Sequence, residues 1–479
     1  MHSPTVHGSS WKQFLLGEPL GFEQGPRKRV AVAGAVMGGV LLLLTVLAAP
    51  TSRLIVPIGA PGSTLPDWIL GVFAPIGDTP KALGRGAIAA GMDWGKLFVS
   101  VGFFALAWAW LAIVREAENI PVKVLVWGIV GVYVLLVIAP PMFSTDIFTY
   151  LSGGRLQVLY GVNPYEHGPV VRPQDPVFGW TGLVWLDTPT VYGPIFTLLT
   201  AALTPLGPAG GMWTLKVIAA LSAGACGWLT WKIAEDLGRP PENALAFVAL
   251  NPILLLFALA GGHNDLLMLA IALAAVRLTI LAKPLAAGAT LGAAIAVKLT
   301  AGLVLPFMFI GAGKRAENGR IDFVKGFLLL WVPLAAVATA FYGLEWLKVP
   351  KVIGQGMGQH IGELKSVPGI LAGYAGLGPI GPVTRGLFLV VLIGIVVLAF
   401  RAAERTRDGW IGWSAVVIVA SLTLSTQLHP WYLIWALPFA ALSGDKRVRG
   451  LAVGLTFAVI AIQAIRWLAP LGVGWPHSG

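Results

Sequence analysis

Long apolar runs separated by short polar segments repeat along almost the whole chain of 479 residues. The first three runs extend from Val30 to Ala49, from Leu97 to Val114 and from Val124 to Pro140. A helix of about 20 residues crosses a hydrocarbon core of about 30 Å, so such runs have the length of membrane spans. The pattern predicts an all-α, polytopic integral membrane protein with about eleven to thirteen transmembrane helices.

Composition excludes an ordinary soluble protein, because 56% of the residues are hydrophobic and only 11% are charged, against about a quarter charged in soluble domains. The net charge of +11 comes from Lys and Arg in short clusters between apolar runs, which indicates topology and not a nucleic-acid partner. The single cysteine, Cys226, lies in an apolar run, which excludes an internal disulfide framework.

The basic clusters predict the orientation, because cytoplasmic loops are rich in Lys and Arg. Arg27-Lys-Arg29 stands directly before the first run, so we expect residues 1–29 to be a cytoplasmic tail and the first run to be a retained anchor in the plasma membrane. Three spans within residues 30–140 then place residues 141–192 outside, as a loop carrying short interfacial helices. Residues 193–479 hold the remaining spans, with an external loop at 343–385. The other clusters expected in the cytoplasm are Lys314, Arg315, Arg320 and Lys325, then Arg401, Arg405 and Arg407, then Lys446, Arg447 and Arg449.

The middle of the chain can be threaded through the membrane in two ways. If every run crosses once, His263-Asn264-Asp265 lies inside. In the preferred threading, Tyr192–Leu206 only dips into the membrane from outside, and the segment from Lys232 to Asn243 is cytoplasmic. The His263 triplet is then external, and the long run from Leu285 to Ile310 must break around Lys298, as irregular backbone can where it lines a cavity.

Four polar groups interrupt otherwise apolar surroundings: Asp146, the His263-Asn264-Asp265 triplet, Lys298, and Gln427 with His429. Charges in or near a bilayer cost several kcal/mol unless they are paired or hydrated, so we expect these groups to converge on a water-filled cavity. Each also has a structural alternative. Asp146 could cap a helix, Lys298 could snorkel, Asp265 could cap the helix that follows, and His429 could belong to an interfacial aromatic belt.

Motifs for several enzyme classes are missing. The chain contains no P-loop, no HExxH and no Gly-x-Ser-x-Gly elbow, and Gly354-Gln-Gly-Met-Gly358 lacks the flanking strand and helix of a dinucleotide site. No ligand cluster is visible, so we expect no obligatory metal and no other cofactor. An external reaction has no nucleotide sugar available, and a carboxylate beside lipid suggests a lipid-linked substrate.

The polar positions lie within a set of short motifs: Ser144-Thr-Asp146, Tyr150, Gly154-Arg155, Gly161-Val-Asn-Pro-Tyr165, Tyr192-Gly-Pro194, Gly262-His-Asn-Asp265 and His429-Pro-Trp-Tyr432. Together these motifs resemble the GT-C glycosyltransferases, and within them the polyprenol-phosphate-mannose-dependent α-1,6-mannosyltransferases that elongate lipomannan in bacteria with mycolic-acid walls. The resemblance implies a catalytic carboxylate in the external loop after an early span, and Asp146 alone matches that position. Many relatives carry two adjacent acids where this chain has Thr145-Asp146. Compared with the simplest GT-C layout, this chain also has two more spans before the acid.

Inverting transfer of mannose from a β-linked lipid phosphate needs a base for the attacking hydroxyl and cations for the departing phosphate. We expect Asp146 to be the base and Lys298, Arg155 and His429 to be candidates for the phosphate. Arg155 follows Asp146 by nine positions, about half a turn out of phase on a helix at roughly 100° per residue. Arg155 can therefore share the site only if Gly153-Gly154 breaks the helix, and we rank Lys298 above it.

The expected partners are a polyprenyl-phosphate-mannose donor, a lipid-linked mannan acceptor and membrane lipids, with no nucleic acid. Tyr150 lies one turn after Asp146 and could bound the sugar pocket. Asn163 could instead form a turn with the proline that follows it. The expected sugar- and acceptor-binding residues are Tyr150, Asn163, Tyr165, His263, Asn264, Asp265 and Gln427.

A lipid-linked sugar flippase or transporter is the alternative function, in which the same polar groups line a path. Transporters often show internal pseudo-symmetry, with interrupted helices at matching positions of two halves. The loop of residues 141–192 has no counterpart in the second half of the chain, and this asymmetry favours an enzyme.

Overall fold

The computed structural model describes residues 24–47, 94–354, 382–425 and 429–468. Every regular element in these ranges is a helix, and none is a strand, which confirms the all-α prediction. Residues 1–23 of the expected tail, most of the expected loop at 343–385, and Gln427 lie outside the described residues.

Sixteen α-helices occupy the described ranges. They are α1 (Gln24–Leu47), α2 (Trp94–Glu116), α3 (Val122–Ile138), α4 (Asp146–Tyr160), α5 (Pro194–Leu203), α6 (Gly207–Asp236), α7 (Pro241–Ala249), α8 (Asp265–Ile280), α9 (Pro284–Val297), α10 (Leu305–Arg315), α11 (Gly319–Tyr342), α12 (Val349–Gly354), α13 (Pro382–Ala403), α14 (Gly409–Leu424), α15 (Leu437–Ala441) and α16 (Lys446–Leu468). A π-helix covers Leu254–Leu259, and short 3-10 helices include Leu183–Trp185, Leu299–Val304 and Pro430–Trp435.

In the part of the chain that the structure describes, six helical stretches are long and apolar enough to cross a membrane. Three shorter apolar helices accompany them: Val122–Ile138, Pro284–Val297 and Gly409–Leu424. The chain is therefore a multi-pass membrane protein, while a total of eleven to thirteen spans stays a prediction. The six long stretches are Lys28–Thr45, Leu97–Asn119, Pro194–Asp236, Gly319–Tyr342, Gly386–Ala403 and Lys446–Ile465.

The stretch Pro194–Asp236 is interrupted at Gly207, whose φ of 69° lies in the left-handed region. Helix α5 before the interruption has ten residues and is about 15 Å long, half of a hydrocarbon core. Helix α5 is thus too short to cross alone, while the dip of this part of the chain into the membrane from outside stays a prediction.

Basic residues from distant parts of the chain meet at one end of the helix bundle. The ammonium of Lys314, on the last turn of α10, donates to the carbonyl of Ala403, at the end of α13, at 3.2 Å. Arg315 forms an ion pair with Asp408, just before α14. Two of the basic clusters thus belong to a single surface.

The third cluster and the start of α1 join the same surface. Arg449 on α16 donates to the side chain of Asn243, which in turn donates to the carbonyl of Val114 on α2 at 2.9 Å. Arg29 pairs with Glu116 at 3.3 Å. We call this surface, formed by Arg29, Lys314, Arg315 and Arg449 with their partners, the basic end.

Helix α3 leads away from the basic end, because Val122 follows Glu116 closely in the chain. Its 17 residues extend about 25 Å and end at Ile138, eight positions before Asp146. Asp146 therefore lies at the opposite end of the bundle.

The run from Leu285 to Ile310 breaks at Lys298, as the preferred threading requires. Lys298 has an extended backbone (φ −151°, ψ 125°) between α9 and a 3-10 helix. Helix α10 then returns to the basic end, where Arg315 donates to the carbonyl of Ile280. The break places Lys298 at the same end as Asp146.

Candidate active site

Asp146 is the first residue of α4, and the connection before it is tightly held. Phe143 has a φ of 63°, and the amide of Met142 donates to the carbonyl of Ala260 at 3.1 Å. The hydroxyl of Ser144 accepts from the Asp146 amide at 3.1 Å. Thr145, at the N-cap position, makes no side-chain capping bond. The contacts of Met142 and Ser144 therefore hold the start of α4, and the Asp146 carboxylate takes no part in them.

The Asp146 carboxylate instead meets two rings. Its Oδ1 accepts from Nε1 of Trp185 at 3.2 Å, and its Oδ2 lies 3.6 Å from Nδ1 of His263. The residue keeps 8% of its surface exposed. Burial raises the pKa of Asp146 to about 6, against the opposing charge of Lys298 and with a further increase from Asp265.

His263 reaches Asp146 from a tight turn between the π-helix and α8. Gly262 makes the turn with a φ of 67°, and the His263 amide donates to the carbonyl of Ala258 at 2.9 Å. The imidazole stacks on Trp431, with 4.0 Å between ring centroids. Left-handed backbone strains most residues with a Cβ, so the glycine lets this turn aim the histidine at the carboxylate.

Tyr150 connects α4 to the same turn. Its hydroxyl lies 3.3 Å from Nδ1 of His263 and donates to Oδ1 of Asn264 at 3.4 Å. Because Tyr150 follows Asp146 by one helical turn, both side chains lie on one face of α4.

Asp265 and Lys298 form a buried ion pair beside this group. The ammonium of Lys298 lies 2.9 and 2.8 Å from the two oxygens of Asp265, which has no exposed surface. Nε1 of Trp435 donates to the same carboxylate at 2.8 Å. The ammonium also lies 5.2 to 5.8 Å from the ring centroids of Tyr192, Tyr432 and Trp435. The carboxylate of Asp265 thus binds a cation, and Lys298 turns inward instead of snorkelling.

Gly193, directly before α5, holds the start of that helix next to Lys298. Its amide donates to the carbonyl of Val297 at 3.0 Å, and a Cβ at this position would lie 2.1 Å from the carbonyl oxygen of Ala296. Only glycine permits such an approach. It brings Tyr192 edge-on to Tyr150, with 5.0 Å between centroids.

The structure therefore brings together most of the polar residues singled out in the sequence. We call Asp146, Tyr150, His263, Asn264, Asp265 and Lys298 the polar cluster. His429 lies next to it, stacked on Trp431 with 4.6 Å between ring centroids. Gln427 is outside the described residues.

Arg155 does not join the polar cluster, and the expectation that it could share the site is wrong. Helix α4 continues through Gly153-Gly154 without a break, so Arg155 lies on the opposite face. Its guanidinium binds Asp175 with contacts of 2.9 and 3.0 Å. Burial alone would raise the pKa of Asp175, but hydrogen bonds from Arg155, the Val177 amide and Tyr160 hold it below its ordinary value.

Asn163 and Tyr165 also point away from the cluster, which corrects their assignment to acceptor binding. Oδ1 of Asn163 accepts from the Tyr165 amide at 3.1 Å, which is the turn given in the sequence analysis as the alternative to acceptor binding. Its Nδ2 donates to the carbonyl of Tyr342 at 2.9 Å. The Tyr165 hydroxyl donates to the carbonyl of Tyr192 at 3.0 Å. Both residues hold the loop in place.

Sequence reasoning missed Lys216, a cation on α6 with no exposed surface. Its ammonium donates to the carbonyl of Ala139, the C-cap of α3, and its stem lies against Gly262. The only signal was a single charge within an apolar run. Trp185, Trp431 and Trp435 were also missed, because tryptophans near span ends are typical of the aromatic belt of any membrane protein.

Two buried polar atoms of the cluster, Nε2 of His263 and Nδ2 of Asn264, have no hydrogen-bond partner among the described residues. Buried polar atoms in native proteins are nearly always paired, so each exception needs an explanation. Among the described residues, no three His, Cys, Asp or Glu side chains are grouped closely enough to hold a metal ion. Independence from metals stays a prediction.

Fold and site together define a multi-pass, all-α membrane protein with a carboxylate-centred polar cluster at one end of its bundle. Residues 62–313 match the family described as "Alpha-(1->6)-mannopyranosyltransferase, N-terminal domain", and residues 359–465 match the "MptB C-terminal domain". The first match covers more than half of the chain. The chain belongs to this family, and it is a mannosyltransferase.

Individual relatives agree with the family match. Alpha-(1->6)-mannopyranosyltransferase A of Mycobacterium tuberculosis is 28% identical over 403 residues, which cover 76% of this chain and 74% of the relative. Alpha-(1->6)-mannopyranosyltransferase B of Corynebacterium glutamicum is 25% identical over 448 residues, which cover 79% of this chain and 73% of the relative. No solved structure matches the chain significantly, so a GT-C-like helix arrangement stays a prediction.

Proposed function

We propose that the enzyme transfers mannose from polyprenyl-phosphate-mannose to a lipid-linked α-1,6-mannan, as in lipomannan-type synthesis, on the outer face of the plasma membrane. The relatives are named as α-1,6-mannosyltransferases, which supports the linkage. The observation that carries the mechanism is the Asp146 carboxylate, slightly exposed and next to His263 at the end of the bundle away from the basic end.

The proposed reaction is a single displacement with Asp146 as the general base. The primary hydroxyl of the acceptor mannose attacks the anomeric carbon of the donor, and its proton passes to the Asp146 carboxylate. The bond between the anomeric carbon and the phosphate oxygen breaks, its electron pair leaves with polyprenyl phosphate, and a β-linked donor gives an α product. A carboxyl with a pKa of about 6 is ionised at neutral pH and is a stronger base than an ordinary aspartate.

Lys298 is the proposed contact for the departing phosphate. An ammonium has three donors, and the two contacts to Asp265 leave capacity for a further charge-assisted bond to a phosphate oxygen. Asp265 then has a positioning role, because it holds the ammonium 2.8 to 2.9 Å away within the aromatic rings. His429, beside Trp431, is the second phosphate candidate.

His263 and Asn264 are the proposed contacts for the sugar hydroxyls. Nε2 of His263 and Nδ2 of Asn264 are buried and have no hydrogen-bond partner in the part of the chain that the structure describes. A hydroxyl both donates and accepts, so it can satisfy either atom. Tyr150 fixes both residues through its hydroxyl. The Tyr150 hydroxyl thus links the three residues to which we assign sugar binding.

The external location is supported by the separation of charges along the bundle. The basic end collects Lys and Arg as cytoplasmic surfaces do, and the 17 residues of α3 separate it by about 25 Å from the connection that carries Asp146. A donor used on that side is a lipid-linked sugar, because nucleotide sugars are cytoplasmic.

Purified Asp146→Asn in lipid nanodiscs tests the proposal, with synthetic polyprenyl-phosphate-mannose and a short α-1,6-mannoside as substrates. We expect the turnover number to fall by about 10² to 10⁴-fold, the usual contribution of a general base, with product linkage checked by methylation analysis. The matched control is Asp187→Asn, which changes an exposed acid of the same loop and should keep full turnover. Turnover of Asp146→Asn within twofold of wild type would rule out the base assignment.

A further inference from the structure

A groove between α1 and α2 opens at the basic end, far from the polar cluster. It encloses about 500 Å³. The helices run antiparallel, since Arg29 pairs with Glu116 while Gly102 packs against Val40. The groove is lined by Lys28, Arg29, Val32, Trp108, Ala112, Arg115 and Glu116.

The charges of the groove are unbalanced. It contains three cations and one acid, and the acid, Glu116, is already paired with Arg29. Within the described ranges, Lys28 and Arg115 have no carboxylate within ion-pair distance, and both are exposed. Two positive charges are therefore left for an anionic group.

The lining changes from charged to apolar with depth. Trp108 precedes Arg115 by seven positions on one face of α2, about 10 Å along the helix axis, and Val32 lies one turn beyond Lys28 and Arg29 on α1. Trp108 is 51% exposed and Val32 is 52% exposed. A phospholipid shows the same order, with a phosphate at the surface and an acyl chain below it.

We infer that the groove formed by Lys28, Arg115, Trp108 and Val32 binds an anionic phospholipid, with the headgroup phosphate between the two unpaired cations and one acyl chain along Trp108 and Val32. Juxtamembrane Lys and Arg are attracted to anionic lipids. Free phosphate lacks the apolar contact with Trp108 and Val32, so we expect the groove to bind it more weakly than the lipid. The groove would not select zwitterionic lipids, because their headgroups carry no net negative charge.

Native mass spectrometry of the full chain in detergent tests this inference, with dioleoylphosphatidylglycerol and dioleoylphosphatidylcholine titrated in parallel. We expect tight retention of one phosphatidylglycerol, weakened roughly tenfold or more in the Lys28→Gln/Arg115→Gln double variant, since each juxtamembrane cation contributes measurably to anionic-lipid binding. Lys28→Arg/Arg115→Lys should retain the lipid, and thermal unfolding of each variant shows that it is folded.

The matched control is Lys446→Gln/Arg447→Gln, which removes two exposed cations at the start of α16 near the same end of the bundle. An equal loss of lipid in this control would mean that charge alone, without the groove, attracts the lipid. Equal retention of phosphatidylcholine, or full displacement by inorganic phosphate, would also overturn the inference. Trp108→Ala should weaken phosphatidylglycerol without changing the net charge, and unchanged binding would exclude the acyl-chain contact.

Discussion

The ammonium of Lys298 lies 2.8 Å from the carboxylate of Asp265, and the acid is completely buried. Removing one partner of a buried ion pair leaves an uncompensated charge and typically costs about 3 to 5 kcal/mol. The pair thus couples the break between α9 and α10 to the start of α8.

Lys298→Met should therefore lower the free energy of unfolding by about 3 to 5 kcal/mol, measured by chemical denaturation in detergent. Asp265→Asn/Lys298→Met removes both charges and keeps an oxygen for Trp435, so its stability should be closer to wild type. A single variant that loses less than about 1 kcal/mol, the range of exposed pairs, would show that the pair is hydrated.

The activity should depend on pH through Asp146. Because burial raises its pKa to about 6, kcat/KM should be constant above that pH and fall about tenfold per unit below it. The pH profile of the transferase reaction measures this directly. A profile that stays flat down to the ordinary value of 3.8 would exclude Asp146 as the titrating base.

Asp146 and Asp175 should affect stability in opposite directions. A raised pKa means that the native state binds the proton more tightly than the unfolded chain, so the contribution of Asp146 to stability is complete below pH 3.8 and is lost as pH rises to about 6. Asp146→Asn should consequently be at least as stable as wild type at neutral pH.

Asp175 has a lowered pKa, so its contribution is complete above pH 3.8 and is lost as pH falls through the native pKa. Arg155→Ala should remove this acid-sensitive part and lower stability by about 3 to 5 kcal/mol. The free energy of unfolding of Asp146→Asn and of Arg155→Ala, measured against pH, shows whether the two acids change stability in opposite directions. Equal acid sensitivity of wild type and Arg155→Ala would contradict the role of the pair.

Lys216 should matter for the rate although it is outside the polar cluster. Its hydrogen bond to Ala139 holds the start of the connection to Asp146, and its stem supports Gly262. We expect Lys216→Met to fold and to lose about tenfold in kcat with a smaller change in KM, because a small misplacement of catalytic groups is costly. Lys232→Met on the same helix, where Lys232 pairs with Glu235, is the control and should keep its kcat.

Labelling of introduced cysteines tests the topology. The one native cysteine, Cys226, is buried, so the wild-type chain is a suitable background. A membrane-impermeant maleimide should label His167→Cys in intact cells and Arg407→Cys only after permeabilisation. The reverse pattern would place the polar cluster in the cytoplasm and contradict the proposed donor.

The sequence predicted the convergence of the polar cluster because burying isolated charges near lipid is costly. The break at Lys298 followed from the preferred threading of the chain through the membrane. It did not predict the partner of Arg155, because Asp175 lies in an irregular loop whose path is not determined by periodicity. Lys216 could not be placed, since its acceptor is a backbone carbonyl, and every residue has one. The tryptophan contacts to Asp146 and Asp265 depend on side-chain directions that only the folded chain fixes.

The halves on either side of Lys298, with 14 and 11 residues, are about 21 and 17 Å long, and both are shorter than a bilayer core of about 30 Å. Neither is long enough to cross the bilayer as an independent span, so we expect the two helices to enter the lipid jointly. Because synthesis proceeds from the N-terminus, Asp265 is made before Lys298. We therefore expect the lysine to find its counter-ion available when it enters the protein interior.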